Sequence, residues 1–125
     1  MPEQHRVQVR RIYDAPMPDD GARVLVDRLW PRGVSKARAH LDDWCKQIAP
    51  STELRNWYHH APDLFDEFSR RYTAELNDPE PAAALAHLKE LATQQTLTLL
   101  TATKNPEISE AAVLAKILEG QAPAN

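Results

Sequence analysis

The order of patterns along this chain predicts an α/β fold, a small, mainly parallel sheet of three or four strands flanked by helices, as a single domain over residues 1–125. Three observations carry that reading. Two short apolar runs, 24–29 and 96–101, have the length and residue types of strands. Several helical patterns lie between them, enough chain for a parallel crossover. A further helical pattern follows the second run.

Composition narrows the class. A chain of 125 residues with 42% hydrophobic and 26% charged residues can bury one core and is expected to be ordered over most of its length. No apolar run approaches the ~18 residues of a membrane span, and residues 1–11 lack a signal peptide's apolar stretch. A cytoplasmic protein without a membrane partner is therefore expected. Cys45 stands alone, which excludes an internal disulfide and agrees with a reducing compartment.

Taken in order, residues 7–12 (VQVRRI) alternate well enough for a first strand, with Val7 and Val9 on one face. Residues 14–21 (DAPMPDDG) are turn chemistry throughout. They are too few for a helical crossover, so the first two strands are antiparallel neighbours or, alternatively, parallel strands with an irregular link. The second strand uses Val24, Leu25, Val26 and Leu29 as its apolar run. It stops at Trp30-Pro31, because proline brings no N–H to a ladder and restricts the residue before it.

Residues 35–41 read as a short helical or irregular segment. Asp42 caps a helix to about Ile48, closed by Ala49-Pro50, and Ser51 caps the next, to His59 or His60. Pro62 suits the first position of a longer helix to about Leu76. There Phe65, Phe68, Tyr72 and Leu76 make one apolar face, while Asp66 with Arg70 and Glu67 with Arg71 are i,i+4 pairs. Residues 77–81 (NDPEP) break that helix, and 82–92 form another through Leu85, Leu88 and Leu91. After the strand at 96–101, Asn105 caps and Pro106 begins a last helix lined by Ile108, Ala111, Leu114, Ala115 and Leu118. Gly120 ends it, residues 121–125 are expected as a frayed tail, and the ordered core spans about 6–118.

Parallel strands keep their sites at their C-terminal ends. Trp30-Pro31-Arg32-Gly33 and residues 101–105 should emerge together at that edge. Net charge is −3, with 18 acids against 15 bases, which argues against a generic polyanion binder. Yet residues 28–38 hold Arg28, Arg32, Lys36 and Arg38 and no acid, whereas 63–80 are strongly acidic. A local basic loop on an acidic chain suits a small anion better than a long nucleic acid.

Arg32 offers a planar fork of donors, Lys36 and Lys104 offer point charges, and Arg28 and Arg55 can reach the same edge. Asn105 and the helix start beside it add N–H groups and a positive dipole end. Trp30 could stack on a flat group. In the bland alternative Arg28 and Asp27 pair with each other, Trp30 packs on the sheet edge and the lysines are solvated.

For proton transfer the candidates are Asp27 and His60. His59 and His60 point different ways on a helix and have no further ligand at metal spacing, so no metal is expected. Cys45 reads as inert packing rather than a nucleophile, and Trp57 as core. With three glycines there is no phosphate loop or dinucleotide fingerprint, and no cofactor is expected.

These residues also resemble a known family. Arg11-Ile-Tyr-Asp14, the run from Arg23 to Gly33 (RVLVDRLWPRG), Lys36, Asp43-Trp44, Ala49-Pro-Ser51, Leu54-Arg55, Trp57, His60-x-Pro62, Phe68, Tyr72 and Glu75-Leu76 match in order. Thr98-Leu-Leu-x-x-x-Lys104 and Ala112-Val-Leu114 follow them. Over roughly residues 6–118 the chain resembles the YeaO-like group of a bacterial domain family of unknown function, number 488 of its series. The resemblance implies a small cytoplasmic α/β domain with no agreed activity. Labels such as transcriptional regulator or methyltransferase attached to members find no helix-turn-helix or glycine-rich loop here. Members tend to follow the lysine with Asp and, later, Asn-x-Ala, whereas this chain has Asn105 and Ser109-Glu-Ala111, which weakens an enzymatic reading.

The expected function is binding of a small anionic, phosphate-bearing or similar ligand at the C-terminal edge of the sheet. The alternative is a nucleic-acid-contacting or regulatory module without catalysis, disfavoured by the acidic balance. The sequence specifies no oligomeric state.

Overall fold

A computed structural model describes residues 6–59 and 61–120 of the chain. Among the described residues four strands form one sheet in the order β1-β4-β2-β3: β1 (Val7–Arg11), β2 (Ala22–Leu25), β3 (Asp43–Trp44) and β4 (Leu97–Thr101). Every pairing is parallel, with Val9 opposite Leu99 and Val24 opposite Leu99 in the two long ladders. The α/β reading holds.

The first two strands are parallel and not neighbours, since β4 lies between them. The antiparallel alternative is thereby corrected. Skipping one strand needs about 10 Å sideways and about 17 Å back along the sheet. Residues 12–21 reach roughly 33 Å at about 3.3 Å per residue, so no helix is needed. Gly21 closes that loop at φ +65, and a Cβ there would lie 2.1 Å from the Thr96 carbonyl oxygen, so only glycine fits. Asp20 is buried beside it and its Oδ2 accepts from the Arg23 guanidinium at 2.6 Å. Thr98 Oγ1 donates to the Asp20 carbonyl at 2.6 Å, fixing the loop under β4.

The apolar run of β2 is buried on both faces, as a central parallel strand requires. Val24 and Val26, with Leu97 and Leu99, enter the larger core, built with α2 (Thr52–Tyr58), α3 (Phe65–Glu75), α4 (Pro79–Gln94) and α5 (Glu110–Gly120). Leu25 and Leu100 point the other way, into a smaller core with Ile12 and Ala39, the latter from the short helix α1 (Lys36–Ala39). Phe68 and Tyr72 of α3 are almost fully buried, with Phe68 stacked at 4.2 Å on Tyr58. The apolar face expected of that helix is present.

Several expectations are corrected. The strand ends before Asp27, and Leu29, counted in its apolar run, is 66% exposed. The helix expected from Asp42 to Ile48 is instead β3 followed by a 3-10 turn, Lys46–Ile48. Asp42 Oδ2 accepts from the Arg23 N–H at 2.8 Å, so it serves β2 rather than a helix start. Arg70 bonds Glu67 rather than Asp66, because both Arg70 and Arg71 converge on one carboxylate. Helix α4 starts at Pro79 rather than Ala82, since prolines in a first turn lose only N–H groups that have no helical partner.

Trp57 is 37% exposed under the Arg71 guanidinium, 4.2 Å from its ring centre, rather than core. The last helix begins at Glu110, preceded by a 3-10 turn Pro106–Ile108, and Asn105 makes no side-chain cap. Ser109 takes that place: its Oγ accepts from the Ala112 N–H at 3.4 Å. The tail expected at 121–125 lies outside the described residues. Among the described residues no helix is long and apolar enough to cross a membrane.

Candidate functional site

A cavity of about 310 Å³ opens where β2 and β4 end, a size suited to a small ligand. It is walled by residues 27–31, Ala49, Pro50, Arg55, Thr101, Ala102, Thr103 and Glu110. The two chain segments expected to meet at this edge do meet there.

Asp27 lies two residues past the end of β2, and parallel pairing carries it to the end of β4. Thr101 Oγ1 donates to its Oδ1 and the Ala102 N–H to its Oδ2, both at 2.8 Å. Trp44 Nε1 donates to the Asp27 carbonyl at 2.8 Å, tying the same residue to β3. Thus the carboxylate bonds β4 and not Arg28.

Arg28 is directed to the opposite wall, where its guanidinium donates to the Pro50 carbonyl at 3.2 Å. Trp30 packs edge-on against Trp44 at 5.3 Å and donates Nε1–H to the Val34 carbonyl at 2.6 Å. Its ring is therefore held by the protein while it lines the cavity.

The far wall is set by a clamp between helices. Ser51 caps α2 by accepting from the Leu54 N–H at 3.1 Å. Its own N–H and Oγ donate to the two Glu75 carboxylate oxygens at 2.9 and 2.6 Å. Glu75 ends α3, so the clamp fixes Ala49-Pro50 and presents Arg55, one turn into α2, to the cavity.

Glu110 completes the site, and sequence reasoning missed it. It is half-buried in the first turn of α5 and lines the same cavity as Asp27. The helix dipole at this position favours ionisation by roughly 0.3–1 kcal/mol. Burial opposes it and wins. Desolvation first, then the hydrogen bond and charge of Asp27, hold the Glu110 carboxyl well above its ordinary 4.5, against the pull of Arg55. Ser109-Glu110-Ala111 carried the signal, a serine cap followed by an acid after a parallel strand. It was obscured by placing the helix start at Pro106.

Of the residues singled out from sequence, Asp27, Arg28, Trp30 and Arg55 share this cavity. Arg32, Lys36, Lys104 and Asn105 are exposed and do not line it. Arg32 follows one lining segment and Lys104 follows another; Lys36 opens α1. His60 lies outside the described residues. Cys45 is buried, and burial, then the nearby Asp43 charge, push its thiol up to about 11, so it is no nucleophile at neutral pH. Among the described residues no three His, Cys, Asp or Glu side chains gather as metal ligands.

Fold and cavity together define a small parallel α/β domain with a polar cavity at its C-terminal sheet edge. Residues 6–125 match the family described as the inactive DUF488-N3 subclade, and the chain belongs to that family. An uncharacterized protein of Mycobacterium tuberculosis (strain H37Rv) is 50% identical over 121 residues, 97% of this chain and 100% of the relative. An uncharacterized protein of Mycobacterium bovis matches to the same extent, 50% over 121 residues. The uncharacterized protein YeaO of Escherichia coli (strain K12) is 44% identical over 109 residues, 87% of this chain and 93% of YeaO. No solved structure matches.

Proposed function

We propose that the chain binds a small anionic ligand in the cavity between the ends of β2 and β4, without turning it over. The observation that carries this reading is the presence of Arg28 and Arg55 in the walls of one small cavity at the C-terminal edge of a parallel sheet. Guanidiniums hold carboxylate or phosphate through paired donors. Trp30, Leu29 and Pro31 supply the apolar surface a ligand's remainder would cover. Arg32, Lys36, Lys104 and Asn105, exposed and outside the lining, serve in this proposal to draw the anion in and to bond whatever protrudes.

Catalysis is less well supported. Both Asp27 oxygens already accept hydrogen bonds from β4 and its following loop, which leaves it fixed rather than poised to carry a proton. The word inactive in the family's description accords with binding. A cytoplasmic setting belongs to the same proposal: the chain's one cysteine is buried and free.

The test is thermal unfolding against a panel of carboxylates, phosphate, sugar phosphates, nucleotides and short oligonucleotides, for wild type and Arg55→Ala. A ligand at ~100 times its Kd stabilises by about 2.7 kcal/mol, several degrees in a domain of this size. A midpoint shift with a small anion, lost in folded Arg55→Ala, supports the reading. A shift confined to oligonucleotides and falling steeply with salt supports the nucleic-acid alternative instead. No shift with any anion overturns both.

A further inference from the structure

We propose that the ligand of this cavity is an α-amino acid with an apolar side chain. Its carboxylate would lie on Arg28 and Arg55, its ammonium on Asp27 and Glu110, and its side chain against Leu29, Trp30 and Pro31. The inference rests on the anion reading above and names the ligand's class.

The cavity holds charges of both signs. Arg28 and Arg55 line it together with Asp27 and Glu110, within about 310 Å³. The two signs come from different elements. On the side of α2, Arg28 Nη2 donates to the Ala49 and Pro50 carbonyls at 3.4 and 3.2 Å, and Arg55 lies one turn into the helix. At the end of β4, Thr101 and Ala102 hold Asp27, and Glu110 stands in the first turn of α5. Among the described residues neither guanidinium forms an ion pair with either carboxylate. Both signs are therefore left for a ligand. Thr101 and Ala102 each bond a different Asp27 oxygen, and a carboxylate oxygen has two lone pairs, so the fixed carboxylate keeps acceptor capacity.

A plain anion satisfies only half of this arrangement. Seated on the guanidiniums, it shares a small cavity with two carboxylates, and like charges repel. An ammonium on the carbon beside the ligand's carboxylate turns that repulsion into attraction and brings three donors. It also suits Glu110, whose carboxyl is held above its ordinary 4.5 by burial and then by Asp27; an ammonium set against the two acids offsets both causes. Leu29, 66% exposed at the cavity wall, gives apolar surface that a ligand side chain would take out of water.

Leucine, 2-hydroxy-4-methylpentanoate and 4-methylpentanoate test this, because they share one carbon frame and one carboxylate. They differ only in carrying an ammonium, a hydroxyl or a hydrogen beside it. Calorimetric titration of the wild-type chain at neutral pH should show leucine bound tightest, by about tenfold or more over 4-methylpentanoate, as for a charge-assisted hydrogen bond. In folded Glu110→Gln that preference should largely disappear. Equal binding of the three, a hydroxy acid as tight as leucine, or a tighter 4-methylpentanoate overturns the proposal and leaves the anion reading standing. These wild-type comparisons decide even if the variant fails to fold. A leucine preference that folded Glu110→Gln retains also overturns it. If none of the three binds while phosphate or another anion still raises the unfolding midpoint, the amino-acid proposal alone falls. If no anion does, both fall.

Discussion

Glu110, in the first turn of α5, lines the same small cavity as Asp27, which lies two residues past the end of β2. The parallel sheet makes this meeting possible. Strand β4 lies beside β2, and the helix that follows it starts at the same edge.

Burial of Glu110 gives stability a definite sign against pH. Glu110 titrates higher in the folded chain than its ordinary 4.5, so the folded state holds more protons than the unfolded state over that interval. Its contribution is present in full below 4.5 and is lost as pH rises through the folded titration. Relative to Glu110→Gln, wild type should lose up to about 1.4 kcal/mol per pH unit until Glu110 is ionised. Urea unfolding of both proteins across pH measures it; parallel curves would show that Glu110 titrates normally.

Asp20 and Arg23 form a buried pair, at 1% and 5% exposure, on which the loop before β2 depends. Asp20→Ala leaves the Arg23 charge buried beside only the carbonyls of Ala39 and His40. The expected loss is about 3–5 kcal/mol, the cost of breaking a buried pair from one side. Denaturant midpoints for Asp20→Ala and for the double variant Asp20→Ala/Arg23→Met test it. Partial recovery in the double variant is expected.

Ser51 joins two helices by capping α2 and donating to Glu75. Ser51→Ala removes the cap and one of the two bonds to Glu75, for a loss of about 1–2 kcal/mol. Because Arg55 is presented by α2, ligand affinity should fall along with stability. Unfolding and binding measured on the same variant separate this from a surface change, which would move neither.

Cys45 should resist modification in the folded chain. Its thiol is buried and pushed up to about 11, so thiolate is scarce at neutral pH and access requires opening. The rate with a thiol reagent should rise sharply through the urea transition. Rapid reaction of the native protein would contradict this.

The parts of the fold legible in the sequence were those set by local pattern. The Phe68-Tyr72-Leu76 face, the Ser51 cap and the two buried runs at β2 and β4 all rest on periodicity or a single side-chain oxygen. The strand order was not legible, because a connection of residues 12–21 is compatible with more than one neighbour, and only pairing with β4 decides. Residues 43–44 show how tertiary pairing overrides local preference: a capping Asp42 favours a helix, yet β2 recruits Asp43 and Trp44 as an edge strand. Around the cavity, the shared placement of Asp27, Arg28, Trp30 and Arg55 was legible because they follow a strand end or a cap. Glu110 was not, because its place depends on where α5 starts, and the prolyl turn at 106–108 mimics a helix start.

The central claim, that the sheet-edge cavity holds a small anion, is tested most directly by amide chemical shifts of the labelled protein during titration with acetate. Saturable shifts should concentrate at Arg28, Leu29, Ala102, Thr103, Arg55 and Glu110, the cavity wall, and be lost in Arg55→Ala. Saturable shifts clustered on another surface, or none at any concentration that leaves the chain folded, would contradict the account.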